Sequence, residues 1–424
     1  MITERQFEGL LGLSEAWEVV AAEYEMEPRE RFLIVLRETA KLWATLRCPQ
    51  PTCGHGEIRG YDHPDSRLWR HLDAFGKPTE LVCRVPRARC GKCQHVWRVP
   101  VPWEGEGKHF TPGFEAFALT LMREMPMSRA AAILRTTDTT LWRLLFAHVA
   151  KAYAALDLSE LIHLGVDEMS LRRGHHHLSV FADLVARRVV FATEGKDHTA
   201  FVRFAEEILR HNGHPKAITQ IAMDLSKAYQ KGARENLPNA QISFDPFHVV
   251  ALAGDAMDPV RQAEARQPDK ATLLKKTLYL FRKAPESLSE AEALRLDALD
   301  LKHLAVGQAY EIKEELRDIY QTARTLEKAR YRLTHWLNWV EAKCARMGPL
   351  LAPMARVAQT IREHLEGILG HWLDGLNTGF LEGLNSVFSA VKRKARGYRC
   401  PEYMIAMLYF VSGKLRFPFS HSTH

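Results

Sequence analysis

The sequence predicts a multidomain α/β protein whose mixed-sheet core is interrupted by an all-helical insertion. Between residues 157 and 250, short apolar runs typical of strands alternate with helical patterns. Residues 251–375 show apolar residues at helical spacing and no credible strand. Five of the seven cysteines fall between Cys48 and Cys93, which indicates a separate small module ahead of the core.

Composition and charge narrow the classes of protein that this chain can belong to. Its 424 residues suffice for two to four domains, and 46% hydrophobic with 26% charged residues is typical of a globular protein. The formal net charge of +7 favours a polyanionic partner. No apolar run approaches the roughly 18 residues of a membrane span, and the N-terminus lacks the layout of a signal peptide. We therefore expect a cytoplasmic protein that makes no membrane contact.

Residues 1–45 are predicted to be helical. Apolar side chains recur there at steps of three and four residues, as on an amphipathic helix: Phe32, Leu33, Leu36, Ala40 and Trp43. A helix that packs on its own chain is the simpler interpretation, and contact with a partner subunit is the alternative.

Residues 46–105 contain two cysteine pairs with metal-ligand spacing. Cys48 and Cys53 are followed, after 36 intervening residues, by Cys90 and Cys93. Four thiolates on two tight turns suit a tetrahedral structural zinc site, which a module this small needs in order to be stable. The alternatives are a set of reduced cysteines in a small core, or a site that uses other nearby ligands: Cys83, His55, His71 and His95.

The same module is rich in basic residues beside its second cysteine pair. No acidic residue occurs between Leu81 and Trp103, whereas five basic residues do: Arg84, Arg87, Arg89, Lys92 and Arg98. Such a density of cations near Trp97 predicts contacts with DNA phosphates. A basic ribbon that is merely solvated is the alternative.

Residues 106–156 have the pattern of a helix-turn-helix. A first amphipathic helix over 114–124 and a short helix from Met127 precede the turn at 135–140. The candidate recognition helix covers 141–148 and offers Arg143 for DNA contact. An ordinary helical hairpin between two domains would show a similar pattern.

Two strand-end aspartates organise residues 157–250. Strands are predicted at 161–167, 177–185, 188–194, 217–224 and 241–245, with helices at 201–211 and 227–236. This order, β-β-β-α-β-α-β, is that of an RNase H-like fold, in which the first and fourth strands are neighbours. Asp167 and Asp224 would then meet at one end of the sheet, although strand-end aspartates are often only turn formers.

Residues 376–424 are expected to complete the catalytic core. Glu382 opens a helix that continues into a basic stretch containing Lys392, Arg393 and Arg396. With the two aspartates, Glu382 would provide the carboxylates that two magnesium or manganese ions need. A solvated surface glutamate is the alternative. In the preceding insertion, Trp336, Trp339 and Trp372 could line a DNA path or belong to the core.

These motifs resemble the ISL-three (ISL3) family of bacterial insertion-sequence transposases, which carry a DDE triad on an RNase H-like core. The resemblance covers most of the chain, including 165–168 and 244–250, and its most specific stretch is 382–385 followed by 392–398. It implies that Asp167, Asp224 and Glu382 are the triad, that Asp245 and His248 lie near it, and that Tyr398 accompanies the basic stretch. The first cysteine pair is spaced more widely than the family's usual CxxC.

The resemblance also implies a function. A member of this family would bind the inverted-repeat ends of an insertion sequence, cut them with two divalent ions and join them to target DNA. A homodimer on double-stranded DNA, associated with the nucleoid, would be its working form. The alternatives are a stand-alone nuclease of the same fold and a domesticated DNA-binding regulator.

Overall fold

The computed structural model describes residues 4–53, 57–170, 177–299, 301–373, 379–395, 398 and 400–417. The chain divides into two compact units. The first combines Met1–Leu156 with Val391–His424, and the second is Asp157–Ala390.

The first unit contains two small sheets. The elements are α1 (Glu4–Leu11), β1 (Trp17–Glu25), β2 (Arg31–Glu38), α2 (Lys41–Thr45), β3 (Ile58–Asp62), β4 (Arg67–Ala74), β5 (Lys77–Cys83), β6 (Arg87–Cys90) and β7 (Val96–Arg98). The first sheet has four strands in the order β1-β2-β5-β4, and the second has three in the order β3-β6-β7.

The prediction that residues 1–45 are helical is wrong for most of that segment. Residues 17–25 and 31–38 are the antiparallel strands β1 and β2, and β2 also pairs in parallel with β5. The run around Ile34 and Val35 contains β-branched residues, which favour strands, and a short apolar run has no decisive period. Because β2 and β5 share a sheet, the predicted domain boundary at residue 45 is also wrong.

Three helices follow the sheets: α3 (Pro112–Glu124), α4 (Met127–Ile133) and α5 (Asp138–Ala154). The hydroxyl of Thr111 accepts a hydrogen bond from the Phe114 amide, and that of Thr137 accepts one from the Thr140 amide, so α3 and α5 have N-caps. The predicted first and second helices are present. The candidate recognition helix, α5, is longer at both ends than predicted, because Thr137 caps it earlier than the turn pattern indicated.

The second unit is built on a five-stranded mixed sheet. Its elements are β8 (His163–Ser170), β9 (His177–Asp183), β10 (Arg188–Glu194), α6 (Thr199–Arg210), β11 (Gln220–Met223), α7 (Lys227–Asn236) and β12 (Gln241–Phe244). The strand order is β10-β9-β8-β11-β12. β8, β11 and β12 run parallel, whereas β9 and β10 are antiparallel to their neighbours. The predicted alternation of strands and helices is confirmed.

Aromatic packing holds α6 on this sheet. The ring of Phe181 on β9 stacks on Phe204 with centroids 4.5 Å apart and meets Phe201 edge-on at 5.2 Å. All three side chains are fully buried, and each contributes about 1.5–3 kcal/mol of apolar transfer free energy. This packing fixes β9 against α6.

A helical segment follows the sheet. No strand occurs in the described residues 251–299 and 301–373, which confirms the predicted all-helical insertion within those ranges. Trp336 is buried and donates its indole N–H to the Ile312 carbonyl, and Trp372 donates to the Ala323 carbonyl. The helices are α8 (Pro246–Glu264), α9 (Leu278–Arg282), α10 (Glu290–Asp297), α11 (Ala305–Thr322), α12 (Leu326–Met347), α13 (Ala352–Glu363) and α14 (Leu365–Leu369).

Two helices end the chain: α15 (Gly379–Lys394) and α16 (Pro401–Ser412). Residues 376–424 were expected to complete the core together, but the segment from Val391 groups with the first unit. The cause is aromatic packing of α16 on α5, in which Tyr403 meets Trp142 at 4.6 Å and Tyr409 meets Tyr153 at 4.5 Å.

Candidate active site

Asp167 and Asp224 are held at the same end of the sheet by adjacent parallel strands. The register pairs Ala222 with Gly165, so each aspartate stands two positions beyond a paired residue. Each carboxylate accepts one local amide: Asp167 from Glu168 at 2.7 Å and Asp224 from Ser226 at 3.0 Å. Both side chains are half-buried. The predicted adjacency of the two strands is therefore confirmed, although β8 continues to Ser170 and does not end at Asp167 as predicted.

Helix α15 reaches this sheet end through Asn385. Its side-chain amide donates a hydrogen bond to the second carboxylate oxygen of Asp167 at 2.5 Å. Glu382 belongs to the same helix, three positions earlier, but its side chain lies outside the part of the chain that the structure describes. Residues three apart share a helix face. The sequence analysis included Asn385 in the specific stretch 382–385 but assigned it no role in the site.

The electrostatic environment of Asp167 favours a bound cation. Burial is the main cause that raises the pKa of its carboxyl above the usual value, and the negative charge of Asp224 adds to the increase. The hydrogen bonds from Asn385 and the Glu168 amide, together with nearby His248, oppose it. Two carboxylates in one half-buried place repel each other, and a divalent ion between them would relieve that repulsion.

Asp245 and His248 lie at the end of the next strand. The backbone amide of Asp245 donates to the Met223 carbonyl at 3.0 Å, which places it beside the Asp224 strand. Its buried carboxylate caps α8 by accepting from the Phe247 amide at 3.0 Å. His248 follows in the first turn of α8, close enough for its charge to act on Asp167.

Among the side chains that the structure describes, only four cysteines form a group of three or more metal-ligand residues with their ligand atoms within 4.8 Å of one another. Glu168, Asp245 and His248 therefore do not join the two aspartates in such a group. Glu168 instead pairs with His177 Nδ1 at 2.5 Å and lies 3.8 Å from Lys196.

Tyr229 is a buried neighbour of the carboxylates that sequence reasoning missed. Its hydroxyl lies 2.6 Å from Ser179 Oγ, and Ser179 Oγ donates to the Gly195 carbonyl at 2.8 Å. Because a serine hydroxyl has one proton, Tyr229 must be the donor to Ser179. Burial chiefly raises the pKa of Tyr229, and the charges of three nearby acids, Glu168, Asp224 and Asp167, add to it. Tyr229 therefore stays protonated at neutral pH beside the carboxylates.

The predicted zinc ligands come together in the first unit. Cys48 and Cys93 sulfurs are 3.6 Å apart, as are those of Cys53 and Cys90. Four sulfurs placed about 2.3 Å from a tetrahedral zinc ion would be about 3.8 Å apart, so the four thiols fit the ion. Backbone amides of Cys93 and Lys92 donate to Cys90 and lower its pKa to about 6, despite desolvation.

The competing zinc ligands lie elsewhere or have other partners. His71 Nδ1 is 2.8 Å from the Thr111 hydroxyl, and Cys83 is buried in the sheet core. His95 stacks on Trp97 with centroids 5.8 Å apart. His55 lies outside the described residues.

The predicted DNA-contact residues of the first unit differ in whether their charged groups already bind another group of the chain. Arg87 forms a two-pronged ion pair with Asp62, and Arg84 donates to the His63 and Pro64 carbonyls. By contrast, Arg89, Lys92 and Arg143 are exposed. Arg89 has its guanidinium 5.8 Å from the ring of exposed Tyr61. Arg84 is exposed too, but its guanidinium is already hydrogen-bonded, so Arg89, Lys92 and Arg143 are the better placed for phosphates.

The basic stretch of α15 is only partly described. Lys392 and Arg393 lie in the last turn of the helix, and Arg393 is exposed, whereas Arg396 is outside the described residues. Tyr398 packs its ring edge-on against Trp142 at 6.1 Å and donates its hydroxyl to the Val391 carbonyl. Burial raises the pKa of Tyr398 to about 12.

Within the described part of the chain, no helix combines the length and the apolar character that crossing a membrane would require.

Two family models match this chain, one over the helix-turn-helix and one over the segment that contains the candidate carboxylates. A family model described as Transposase, for the DDE domain of ISL3 elements, matches residues 164–408. A second, described as the helix-turn-helix domain of transposase family ISL3, matches residues 99–149. The chain is 27% identical over 422 residues to the transposase for insertion sequence element IS1001 of Bordetella parapertussis, with 98% of each chain covered. It is 26% identical over 437 residues to the transposase for insertion sequence element IS1557 of Mycobacterium tuberculosis strain H37Rv, with 95% of this chain and 94% of the relative covered.

Proposed function

Since the chain belongs to the ISL3 family of DDE transposases, enzymes that cleave DNA and transfer its strands, we propose that Asp167, Asp224 and Glu382 are its catalytic triad. The hydrogen bond from Asn385 to Asp167 carries this proposal, because it brings α15 to the sheet end where the two aspartates meet. Glu382 precedes Asn385 by three positions on that helix, and so shares its face.

The arrangement of the strands supports an RNase H-like core. Three consecutive strands form an antiparallel meander, and the fourth and fifth add in parallel beside the first, in the order β10-β9-β8-β11-β12. In this order Asp167 and Asp224 stand on neighbouring parallel strands, although 57 positions separate them in the chain. The fold therefore brings together carboxylates that are distant in sequence.

Magnesium or manganese fits the chemistry of these ligands. Carboxylate oxygens are hard donors, which both ions prefer, and a bound cation would offset the burial that raises the pKa of Asp167. When bound, a pair of such ions would activate the attacking oxygen and stabilise the leaving oxygen at phosphorus. Asp167, Asp224 and Glu382 would hold them.

Other side chains around the triad have positioning roles. Asn385 fixes the rotamer of Asp167 by occupying one of its oxygens, and the Glu168 amide occupies the other. Asp245 ties the start of α8 to β11, which keeps His248 beside the site. Tyr229, protonated and bonded to Ser179, supports the sheet end without a change of charge.

The first unit would recognise DNA. Helix α5 of the helix-turn-helix presents Arg143, and the cysteine module presents Arg89 and Lys92. We propose that these residues, with Lys392, Arg393 and Arg396, bind phosphates of the insertion-sequence ends and of target DNA. Arg84, Arg87 and Tyr398 have partners within the chain and would contribute less. A structural zinc ion on the four cysteines would hold the module, and two copies would act on two paired ends as a homodimer.

The test uses full-length protein and duplex DNA that carries the sequences flanking the coding region. With Mg²⁺, the wild-type protein should nick this DNA and join the released 3′ end to a target duplex. Asp167→Asn removes a metal ligand at nearly constant volume, so nicking should vanish while DNA binding persists. Asp255→Asn, at an exposed carboxylate of the insertion, is the matched control.

Two results would contradict the proposal. Nicking by purified Asp167→Asn protein would exclude Asp167 from the triad. Nicking by the wild-type protein without joining would favour a stand-alone nuclease.

A further inference from the structure

A groove of about 400 Å³ lies between helices α11 and α12 of the insertion. Its floor is apolar, with Ile319 and Trp336 both almost fully buried. Trp336 is fixed there, because its indole N–H donates to the Ile312 carbonyl at 3.1 Å. The volume lies within the range of about 300–1,000 Å³ typical of small-molecule sites.

Exposed aromatic rings line the sides of this groove. Tyr331 is 73% exposed, and its ring lies 6.5 Å from that of His335. Trp339 is only half-buried, and the ammonium of Lys343 covers one face of its indole at 4.1 Å. Solvent-exposed aromatic side chains around a cleft are a common feature of sites in which planar ligands stack on the rings.

The charged residues of the groove are mostly neutralised by one another. Glu311 pairs with Lys343 at 2.5 Å, and Arg332 pairs with Asp318 at 2.8 Å. Glu315 is less engaged, since its carboxylate is 3.9 Å from Arg332 and 54% exposed. The groove therefore offers a hydrogen-bond acceptor and no unpaired cation among its described lining residues, which disfavours a phosphate and suits a neutral ligand with N–H donors.

We propose that this groove binds a nucleobase that has left the DNA duplex. The inference rests on the proposed function, because the DNA reaction supplies the ligand. Tyr331 and Trp339 would stack on the base, and the carboxylate of Glu315 would accept from its Watson–Crick edge. Guanine presents two adjacent donors there, N1–H and the N2 amino group, and a carboxylate can accept from both at once. Guanine is therefore the preferred base.

A nucleobase fits this groove better than a segment of protein does. A base needs flat aromatic surface and one or two hydrogen bonds, both of which the groove supplies. A docked helix would need a long apolar strip, whereas Glu311, Glu315 and Arg332 break the surface of the groove. The favourable stacking would offset the cost of unpairing the base.

The experiment measures how the full-length protein binds end duplexes that carry one unpaired guanine, or one abasic residue, at successive positions near the cleavage point. Ca²⁺ replaces Mg²⁺ to prevent cutting. At one of these positions the wild-type protein should bind the guanine duplex about 5- to 150-fold more tightly than the abasic duplex, the range expected for one stacked base. Tyr331→Ala and Trp339→Leu should remove most of this ratio, and Glu315→Gln should reduce the preference for guanine over thymine.

Tyr279→Ala is the matched control, since this residue is 71% exposed in the same insertion but does not line the groove. It should leave the ratio unchanged. An unchanged ratio in Tyr331→Ala and Trp339→Leu would overturn the proposal, as would a change of oligomeric state in these variants without a change in the ratio. Neither result affects the triad, which the nicking assay of Asp167→Asn tests separately.

Discussion

The side-chain amide of Asn385 donates to the carboxylate of Asp167 at 2.5 Å, although 218 positions of the chain separate the two residues. The bond joins helix α15 to strand β8, and the helical insertion lies between them in sequence. It occupies one oxygen of Asp167, while the amide of Glu168 occupies the other. The orientation of the aspartate therefore depends on the position of α15.

Asn385→Ala should lower Mg²⁺-dependent nicking by about 10- to 100-fold, which is typical when a partner of a metal ligand is lost. Because the ligands themselves remain, a higher Mg²⁺ concentration should restore part of the rate. Ser386→Ala, at the exposed neighbouring position, should behave as wild type. A titration of nicking rate against Mg²⁺ measures both effects, and an unchanged midpoint in Asn385→Ala would contradict the positioning role.

Glu382→Gln should abolish nicking and weaken divalent-ion binding, while DNA affinity stays within about twofold, because only a metal ligand is removed. Isothermal titration with Mn²⁺ and a DNA-binding assay measure the two properties. Glu363→Gln, at an exposed glutamate of α13, is the control. If Glu382→Gln still nicks DNA, the third ligand must be sought at Glu168 or Asp245.

The metal-free protein should become more stable to heat when Asp167 is changed to Asn. Burial raises the pKa of Asp167 in the folded state, so above that pKa ionisation favours the unfolded chain, and removal of the charge stabilises the fold. The difference in Tm should be present at pH 7 and should shrink as pH falls towards the ordinary pKa of aspartate. With Mg²⁺ present, the wild type should have the higher Tm, because only the wild type keeps all the metal ligands.

Calorimetry with and without Mg²⁺ tests this linkage. A metal-free Asp167→Asn protein that is less stable than wild type at pH 7 would show that the carboxylate is compensated within the fold.

Metal analysis should find about one zinc ion per chain, and Cys90→Ser should lower the zinc content and the DNA affinity together. The reason is that the ion joins the two cysteine pairs, which lie on separate turns of the first unit. Cys344→Ser changes a cysteine of the insertion and should keep the zinc. Full zinc content in Cys90→Ser would refute the four-cysteine site.

Arg89→Ala should weaken binding to DNA of any sequence and reduce the slope of affinity against salt by about 1, as expected for one phosphate contact. Arg87→Ala should have a smaller effect on the slope, because Asp62 already neutralises this guanidinium. Binding measured at several salt concentrations compares the two variants. Equal slopes for both would show that the ion pair opens on DNA.

The amino-acid sequence by itself determined the features that depend on local pattern. Cysteine spacing indicated the four-thiol cluster, and the alternation of apolar runs indicated the order of strands and helices in the second unit. It also placed Asp224 directly after a strand, whereas the strand that it predicted to end at Asp167 runs on to Ser170. The sequence reveals these features because each depends on residues that are close to one another along the chain.

Only the tertiary structure decided the features that depend on a distant partner. Strand β2 was mistaken for a helix because pairing with β1 and β5, and not its own period, makes it a strand. The ion pair of Arg87 with Asp62 and the bond between Asn385 and Asp167 likewise join separate segments. A local pattern gives the kind of side chain at each position but not the group it meets, because that contact is set by long-range packing.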